Sequence, residues 1–541
     1  MAALRLALAQ MNPLVGGFDA NVAQVVKISQ EATSLPVDLV AFPELTLCGY
    51  PPEDLALRPA FVDANLAALR RVTDELGGAG VAGLTVVVGY LDRAPNGRPQ
   101  NCLAVIRDGA VVGTYAKKLL PNYGVFDEER YFEAGTSDLV VDVAGTQVGM
   151  VICEDIWFAN GPMTGAARAG AEVVVAINGS PFEMNKDDVR LQLCRDRAIE
   201  SSVALAYVNA VGGQDELVYD GDSLAVNAKG ELLARAKQFS EELLVVDLGT
   251  PPLDEEPERL DAVGAVWNAL VTGTRDYVVK NGFTNVVLGL SGGIDSAVVA
   301  TIAVDALGAD AVHTIGLPSE WSSEHSLTDA EDLAARQGIH HQVIPIGDLV
   351  TAFRTVVDVD GLALENLQAR VRAVVWMALS NQHGHLVLTT GNKSELATGF
   401  STLYGDSAGG FGPLKDVLKT SVWELARWRN ARARAAGDVE PIPSASIEKP
   451  PSAELAPGQL DADRLPPYDV LDAVLRGYVE QDKGRSELIA EGHDPEAVDR
   501  VIRLVNLAEY KRRQYPPGPK VTSKAFGRDR RLPITNAWRE G

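Results

Sequence analysis

The sequence predicts an α/β protein of two domains joined by an acidic, proline-containing linker. Short apolar runs with strand character alternate with helical patterns in both halves of the chain. The stretch DLGTPPLDEEPERL, at residues 247–260, has no periodicity. The chain has 541 residues, which is long for one hydrophobic core. We therefore place the domains at residues 1–248 and 262–541, with a linker at residues 249–261.

The first half contains repeated strand signals. They are the segments LRLALAQM, VDLVAFPE, LTVVVGYL, VGMVICED, AEVVVAIN and VALAYVNA. Helical patterns such as NVAQVVKISQEATS and FVDANLAALRRVTDEL lie between several of them, with apolar residues three and four positions apart. This half is therefore predicted to be a layered α/β domain.

The second half begins with a predicted helix from Ala262 to Lys280. The strand NVVLGL, the loop SGGIDS, an apolar helix to Leu307 and the strand AVHTIGLP follow. This order predicts a βαβ unit with a parallel sheet. Residues 440–469 contain seven prolines, which exclude a continuous helix or a central strand. That segment is either a mobile lid over a site or a plain connection.

Composition excludes several classes of partner. The net charge is −24, from 49 Lys and Arg against 73 Asp and Glu, which disfavours binding to nucleic acid. We find neither a membrane-spanning apolar run nor a signal peptide, and expect a cytoplasmic protein without a membrane partner. The four cysteines lie far apart and the histidines are scattered, so no structural metal is predicted.

Residues 287–297, VLGLSGGIDSA, form a glycine-rich loop after an apolar strand. The loop lacks the lysine of a Walker motif, and its glycines do not match the dinucleotide fingerprint. The following helix start favours an anion. Asp295 would repel phosphate unless a cation lay between them, which predicts Mg²⁺ on Asp295. The alternative is a tight turn in which Asp295 only caps the helix.

A second polar loop follows the strand in HLVLTTGNKSELATGFSTLYGD, residues 385–406. It places Thr390, Asn392 and Glu395 at the carboxyl end of the predicted sheet, where open α/β folds bind ligands. Glu395 is a candidate second ligand of Mg²⁺. The alternative is an exposed glutamate at a helix start, stabilised by the helix dipole.

The loop SGGIDS resembles that of ATP-pyrophosphatase enzymes, which cleave ATP between the α- and β-phosphates. With ENLQARVRAVVW, PLKDVLKT and EYKRRQ, the chain from about residue 262 resembles NAD⁺ synthetases. This resemblance implies a doubly wound, Rossmann-like parallel sheet that adenylates deamido-NAD⁺ with ATP and Mg²⁺, for attack by ammonia. Leu403 stands where ammonia-only synthetases carry a lysine, which leaves the pyrophosphate contacts of that segment open.

The resemblance also implies individual contacts. Those to ATP are Gly289, Ser291, Gly292, Gly293, Asp295, Ser296, Thr390 and Lys419. Those to deamido-NAD⁺ are Asn366, Arg370, Glu395 and Lys511, with Mg²⁺ on Asp295 and Glu395.

Cys153 lies at the end of the strand in VGMVICEDIW. A lone strand cysteine is more often structural than reactive. With Glu44 in VAFPELTLCGY and Lys117 in GTYAKKLLPNYGVFDEERYF, however, it resembles the Glu-Lys-Cys triad of the nitrilase superfamily. The resemblance covers residues 4–248 and implies an α-β-β-α sandwich. Cys153 would be the nucleophile, Glu44 the base and Lys117 the oxyanion donor, whereas Lys118 would be solvated.

Resemblance to the glutaminase members of that superfamily implies a set of glutamine contacts. They are Tyr50, Tyr123, Glu154, Ser180 and Lys186. Glu154 would meet the α-amino group and Lys186 the α-carboxylate. The two tyrosines are equally typical of core aromatics.

Together, the two motif sets resemble the glutamine-dependent NAD⁺ synthetases over nearly the whole chain. The resemblance implies that the substrates of the protein are glutamine, deamido-NAD⁺ and ATP. It also implies a homo-oligomer built on dimers of the second domain. Two alternatives stay open at this stage. One is an ATP-pyrophosphatase amidotransferase that acts on another acid, and the other is an inactive nitrilase-like domain that serves as a scaffold.

Overall fold

The computed structural model describes residues 4–78, 81 and 83–538. The chain divides into two compact units, Met1–Leu260 and Asp261–Gly541. Within the described ranges, every helix is too short or too polar to cross a membrane.

The described residues of the first unit form two six-stranded sheets and a small two-stranded one. The strands are β1 (Arg5–Gln10), β2 (Leu39–Ala41), β3 (Thr85–Arg93), β4 (Pro99–Arg107), β5 (Ala110–Ala116), β6 (Val140–Val143), β7 (Thr146–Ile152), β8 (Val173–Asn178), β9 (Ala204–Asn209), β10 (Val211–Gln214), β11 (Leu217–Asp220), β12 (Leu224–Val226), β13 (Leu232–Arg235) and β14 (Glu242–Asp247). The sheet orders are β14-β1-β2-β3-β4-β5 and β13-β12-β9-β8-β7-β6, while β10 pairs with β11.

Parallel strands lie at the centre of each large sheet. Strand β2 pairs in parallel with β1 and β3, and β8 pairs in parallel with β7 and β9. The helices of this unit are α1 (Phe18–Thr33), α2 (Pro59–Gly78), α3 (Glu128–Tyr131), α4 (Pro162–Arg168) and α5 (Lys186–Ser201). Short 3-10 turns lie at Glu53–Leu55 and Cys153–Ile156.

Three apolar layers hold this unit together. The inner faces of the two large sheets pack against each other through residues such as Leu8 and Met150. Helices α1 and α2 cover the outer face of the first sheet, where Val25 joins that layer. Helices α4 and α5 cover the second sheet, where Leu191 joins the third layer. The predicted α-β-β-α sandwich is confirmed.

The second unit contains a four-stranded sheet of β15 (Val286–Gly289), β16 (Val312–Gly316), β17 (His340–Val343) and β18 (Leu386–Val387). Its order is β17-β16-β15-β18, and every neighbouring pair is parallel. The chain moves outward from β15 to β17 and then returns to the other side of β15. The carboxyl ends of β15 and β18 therefore form the topological switch point at which open α/β sheets bind ligands.

Helices pack on both faces of this sheet, as predicted for a doubly wound fold. They are α6 (Ala262–Lys280), α7 (Ile294–Leu307), α8 (Glu324–Gln337), α9 (Gly347–Val356), α10 (Gly361–His383), α11 (Lys393–Thr398), α12 (Lys419–Ala436), α13 (Ser444–Glu448), α14 (Tyr468–Leu475), α15 (Arg485–Ala490), α16 (Pro495–Leu507) and α17 (Glu509–Arg512). Short turns lie at Ala309–Ala311 and Asp461–Asp463, and a π-helical turn lies at Arg476–Glu480. Helices α9 and α10 pack on one face through residues such as Val350 and Leu367, and α7 contacts β15 and β16.

Candidate active sites

Cys153 directly follows β7, in a sharp turn. Its φ is +45°, in the left-handed region that non-glycine residues rarely adopt. The buried carboxylate of Asp155 holds this turn: Oδ2 accepts from the Ile152 amide at 3.1 Å and the Tyr115 hydroxyl at 2.7 Å. Its Oδ1 accepts from the Leu119 amide at 2.9 Å. Asp155 thus ties the Cys153 turn to the segment that follows β5.

Glu44 and Lys117 meet in the same buried region. Glu44 follows β2, and Lys117 follows β5. The Lys117 Nζ lies 2.8 Å from Glu44 Oε1, which also accepts from the Asn101 side chain at 2.7 Å. Glu44 Oε2 accepts from the Gly179 amide at 2.9 Å. Both oxygens of Glu44 are thereby fixed in position. Of the two adjacent lysines, Lys118 forms an ion pair at 2.6 Å with Asp138 instead.

A second buried carboxylate, Glu128, completes this cluster. Its carboxylate lies 2.8 Å from Lys117 Nζ and accepts from the Tyr50 hydroxyl at 2.8 Å. The predicted glutamine contact Tyr50 is therefore a buried partner of Glu128. Lys117 lies between two carboxylates, Glu44 and Glu128.

Burial and charge set the protonation states here. Burial raises the pKa of the Cys153 thiol well above its ordinary value, and the negative charge of Glu44 raises it further. Burial alone would lower the pKa of Lys117, but Glu128 and Glu44 raise it well above normal. The resting cluster therefore contains a neutral thiol beside a protonated lysine. Such a thiol needs a base before it can attack.

Polar and aromatic groups lie beside the nucleophile. The Tyr123 hydroxyl lies 3.1 Å from both oxygens of Glu154. Burial raises the pKa of Glu154, whereas Tyr123 and the charge of Lys186 act in the opposite direction. The Lys186 ammonium lies 5.8 Å from the centre of the Trp157 ring. An acidic and a basic group thus stand near Cys153, as an amino-acid head group requires.

Ser180 is buried at the end of the segment that follows β8. Its amide donates to the Asn209 side chain at 2.9 Å. The Ser180 backbone therefore lies beside β9.

In the second unit, the loop between β15 and α7 is closed by its own hydroxyl groups. The hydroxyls of Ser291 and Ser296 lie 3.2 Å apart, and Ser296 donates to the Gly293 carbonyl at 3.0 Å. Gly292 has a φ of +76°, and a side chain there would collide with the Ser326 carbonyl. A compact turn with no side chain at this point brings the start of α7 to the sheet edge.

Asp295 and Glu395 face a shared lysine at this edge. Lys419, the first residue of α12, forms an ion pair with Asp295 and lies 4.0 Å from Glu395. Asn392 links the two carboxylates: its side-chain amide donates to Asp295 at 2.9 Å, and its backbone amide donates to Glu395 at 3.2 Å. Burial and the charge of Asp295 raise the pKa of Glu395 well above normal. Two carboxylates thus lie beside the ammonium of Lys419.

These carboxylates suit a divalent cation. No group of three or more His, Cys, Asp or Glu residues capable of holding a metal occurs in the described part of the chain. A Mg²⁺ ion held by Asp295 and Glu395 would therefore take its other oxygen ligands from phosphate and water, as Mg²⁺ commonly does. The neighbouring carboxylates of Asp295 and Glu395 fit such an ion.

A cavity of about 430 Å³ lies at the carboxyl ends of β15 and β18. The predicted ligand residues that line it are Gly289, Ser291, Gly293, Asp295, Ser296, Asn366, Thr390, Glu395, Lys419 and Lys511. Gly292 shapes the loop without lining the cavity. Lys511 donates to the carbonyls of Gly399 and Ser401 at 2.7 and 2.8 Å. Arg370 is exposed outside the cavity, where its Nε donates to the Leu403 carbonyl at 3.2 Å.

Residues 440–469 form part of the wall of this cavity. Glu454 accepts from the hydroxyls of Ser323 and Ser326 at 2.9 and 2.7 Å. The Gln368 side chain donates to the Leu455 carbonyl at 3.0 Å. The segment also contains α13 and is therefore an ordered wall as well as a connection.

Comparison with known proteins extends over both units. The carbon-nitrogen hydrolase family model matches residues 5–251, and the NAD synthase family model matches residues 266–515. A glutamine-dependent NAD(+) synthetase of Acinetobacter baylyi is 44% identical over 550 residues, covering 100% of this chain and 99% of that protein. The chain belongs to the family of glutamine-dependent NAD(+) synthetases. It is thus a carbon–nitrogen ligase with a nitrilase-like glutaminase unit and an NAD synthase unit.

Two further relatives cover the chain completely. A glutamine-dependent NAD(+) synthetase of Thermotoga maritima is 42% identical over 587 residues, covering 100% of both proteins. The structure of the enzyme from Acinetobacter baumannii, in complex with ADP, is 40% identical with a TM-score of 0.78, again covering 100% of both chains. The family assignment therefore rests on both units and on the segment between them.

Sequence reasoning missed two residues of the first cluster, Glu128 and Asp155. Glu128 lies in the quoted segment that contains Lys117, where a glutamate before two aromatic residues gave a weak signal. Asp155 lies two positions after Cys153, and nothing in the sequence indicated that it joins two segments 36 residues apart. Both depend on contacts between segments that lie far apart in sequence.

We predict that Glu128→Gln lowers the rate of glutamine hydrolysis by about 10-fold or more. This loss should be smaller than the roughly 10²- to 10³-fold loss of rate caused by removing an oxyanion donor itself. A neutral side chain holds the Lys117 ammonium less firmly. Burial raises the pKa of Glu128 to about 7, so wild-type activity should fall as pH drops below that value and Glu128 becomes protonated. The measurement is glutamate release against pH.

The matched control is Glu129→Gln, because Glu129 is exposed next to Glu128. This variant should keep the wild-type rate and pH profile. An unchanged acid limb near pH 7 in Glu128→Gln would contradict the assignment of that limb to Glu128.

Proposed function

We propose that the protein makes NAD⁺ from deamido-NAD⁺, ATP and glutamine, releasing AMP, pyrophosphate and glutamate. The observation that carries this proposal is the presence, in one chain, of a buried Glu44-Lys117-Cys153 cluster and a Mg²⁺-suited carboxylate pair beside a phosphate-type loop. The first unit would supply ammonia and the second would consume it. We also propose that the reaction is cytoplasmic, in keeping with its need for ATP.

In the first unit, Cys153 Sγ attacks the side-chain carbonyl carbon of glutamine. Glu44 accepts the thiol proton, which the raised pKa of Cys153 keeps in place until then. Protonated Lys117 stabilises the negative oxygen of the tetrahedral intermediate. Glu44 then returns the proton to the leaving nitrogen, which departs as ammonia and leaves a Cys153 thioester. Water activated by Glu44 hydrolyses the thioester and releases glutamate.

The head group of glutamine would lie between Glu154 and Lys186. Glu154 would accept from the α-amino group, and Lys186 would pair with the α-carboxylate. Tyr123 already donates to Glu154 at 3.1 Å and is exposed enough to contact substrate. Such a pair of opposite charges selects a free amino acid over a simple amide.

In the second unit, the nicotinate carboxylate of deamido-NAD⁺ attacks the α-phosphorus of ATP, and pyrophosphate leaves. The amides at the start of α7 would bind phosphate oxygens. Gly292 shapes the turn before them, because a side chain there would collide with the Ser326 carbonyl. Mg²⁺ on Asp295 and Glu395, when bound, would neutralise phosphate charge. Lys419 adds a fixed positive charge beside both carboxylates.

Ammonia then attacks the carbonyl carbon of the adenylate, and AMP leaves. Ammonia is mostly protonated at neutral pH, and ammonium has no free electron pair with which to attack. A supply made within the same chain therefore favours delivery of the neutral molecule. We propose that ammonia passes from the first unit to the second without mixing with bulk solvent.

Exposed apolar residues on α9 and α10 support a homo-oligomer. Val356 is 83% exposed and Val374 is 62% exposed, and Phe353 lies nearby on α9. On α10, the spacing places Asn366 and Arg370 on the same helix face as Val374. We propose that a second copy covers this face, and that Arg370 reaches deamido-NAD⁺ at its edge.

We expect Cys153→Ala to reduce glutamine-driven NAD⁺ synthesis by at least roughly 10³-fold, because the nucleophile is lost. Ammonium-driven synthesis should stay within about twofold of wild type. The measurement is NAD⁺ formation with each nitrogen donor. Cys194→Ala is the control, since Cys194 is a buried cysteine on α5 outside the cluster. Equal loss with both donors would show that Cys153 does not serve glutamine alone.

Asp295→Asn should reduce synthesis from either donor by roughly 10²-fold or more, because half of the carboxylate pair for Mg²⁺ is lost. Glutamine hydrolysis should continue. The measurement is NAD⁺ formation from ammonium across a Mg²⁺ titration, with exposed Asp310→Asn as the control. An unchanged Mg²⁺ dependence in Asp295→Asn would rule out this residue as a ligand.

For the proposed interface, Phe353→Glu should lower the mass measured by sedimentation velocity, because a charge would be buried at the apolar face. Val439→Glu, at an exposed position outside α9 and α10, should leave the mass unchanged. A wild-type monomer, or an unchanged assembly in Phe353→Glu, would contradict the interface.

A further inference from the structure

Helix α12 begins at Lys419 without a capping side chain of its own. The residue at its N-cap position is Leu418, whose side chain contains no hydrogen-bond acceptor. The first backbone amides of a helix find no partner within that helix. Lys419 and Thr420 are the first two residues of α12, so their amides need acceptors from other parts of the second unit.

Two neighbouring helices supply these acceptors. The Lys419 amide donates to the hydroxyl of Ser394, on α11, at 2.9 Å. The Thr420 amide donates to the carboxylate of Asp472, on α14, at 2.8 Å. The Ser394 hydroxyl donates in turn to the other oxygen of Asp472 at 2.5 Å. One hydroxyl and one carboxylate thus join α11, α12 and α14 at the start of α12.

The carboxylate of Asp472 is fully buried. Its donors, the Ser394 hydroxyl and the Thr420 amide, are neutral groups. Burial raises the pKa of Asp472, whereas these two hydrogen bonds and the more distant charge of Arg476 act in the opposite direction. The positive end of the α12 dipole also favours a negative charge at this point. Asp472 therefore depends on the start of α12, as the start of α12 depends on Asp472.

Helix α14 also contacts the ammonium group of Lys419. The ring of Tyr468, one turn before Asp472, has its centre 5.5 Å from Lys419 Nζ. The ring of Trp423, one turn further along α12, has its centre 5.6 Å from the same atom. Aromatic rings attract an ammonium group at such distances. Helix α14 thus contacts the head group of Lys419 through Tyr468 and the adjoining backbone through Asp472.

Helix α11 brings the carboxylates of the proposed metal site to the same point. Its N-cap residue, Asn392, donates to Asp295 at 2.9 Å, and Glu395 directly follows Ser394. The Lys419 ammonium forms an ion pair with Asp295 and lies 4.0 Å from Glu395. The position of this ammonium relative to both carboxylates therefore depends on how the start of α12 is held against α11.

We infer that Asp472 is a positioning residue of the proposed ATP site, which fixes the Lys419 ammonium beside the two carboxylates that suit Mg²⁺. This inference rests on the proposed function of the second unit. Among the described residues, the cavity lining includes Lys419 but not Asp472. Without the Asp472 carboxylate, Ser394 loses its acceptor and the Thr420 amide is left unpaired. The first turn of α12 would then shift, and the charge presented to Mg²⁺ and phosphate would shift with it.

The test measures NAD⁺ formation by the full-length protein from ammonium, at varied ATP and at varied Mg²⁺. Asp472→Asn keeps the size of the side chain but replaces one acceptor oxygen by a donor. The KM for ATP and the Mg²⁺ concentration at half-maximal rate should each rise by about 5-fold or more, since a misplacement of about 1 Å can cost roughly 10²-fold. The matched control is Asp469→Asn, at an exposed position of the same helix, which should leave both constants unchanged.

Ser394→Ala is a second test that does not depend on the folding of Asp472→Asn. It removes the hydroxyl between Asp472 and the Lys419 amide, so it should raise the same two constants. In the double variant the two effects should add to less than their sum. A role in stability alone would lower the folded fraction and kcat but leave both constants at their wild-type values. That result, or additive effects, would overturn the inference. Wild type that makes no NAD⁺ from ammonium would instead refute the proposed function, so the two failures are distinguishable.

Discussion

The buried ammonium of Lys117 is the interaction on which the first site depends. Removing an ammonium from water costs several kcal/mol unless charges of opposite sign surround it. Glu44 and Glu128 provide them at 2.8 Å, and Asn101, Gly179 and Tyr50 fix those carboxylates in turn. Strands from distant parts of the chain must therefore meet correctly before the cluster can exist, and Cys153 is held beside it by the same framework.

The second unit uses a similar arrangement for different chemistry. Lys419 stands beside Asp295 and Glu395, much as Lys117 stands between Glu44 and Glu128. In the first cluster the charges are balanced well enough to keep Lys117 protonated. In the second, the two carboxylates line the cavity beside the phosphate-type loop, where a divalent cation and phosphate can reach them. The neighbours of the two clusters, a cysteine in the first and a phosphate-type loop in the second, rather than the charged residue types, distinguish a site for acyl transfer from a site for metal and phosphate.

Sequence patterns predicted the features that local rules determine. The turn at Gly292, the helix from Ala262 and both layered domains follow from periodicity and backbone constraints. The family resemblance supplied Glu44, Lys117 and Cys153. Patterns could not find Glu128 or Asp155, because partners such as Tyr50 and Tyr115 lie far away in sequence and meet them only in the folded unit. Strands β4 to β6 and β10 to β14 were also missed. All of these but β4 have seven residues or fewer, and such short strands carry weak apolar signals.

The most direct test of two linked sites in one chain follows the nitrogen atom. Wild-type protein would receive glutamine labelled with ¹⁵N at the amide, together with unlabelled ammonium, ATP and deamido-NAD⁺. Mass spectrometry would then measure the label in the carboxamide of NAD⁺. We predict a labelled fraction well above that of the mixed solvent pool, because ammonia from the Cys153 site reaches the adenylate first. A label equal to the solvent pool, with glutamate still released, would contradict direct transfer between the two sites.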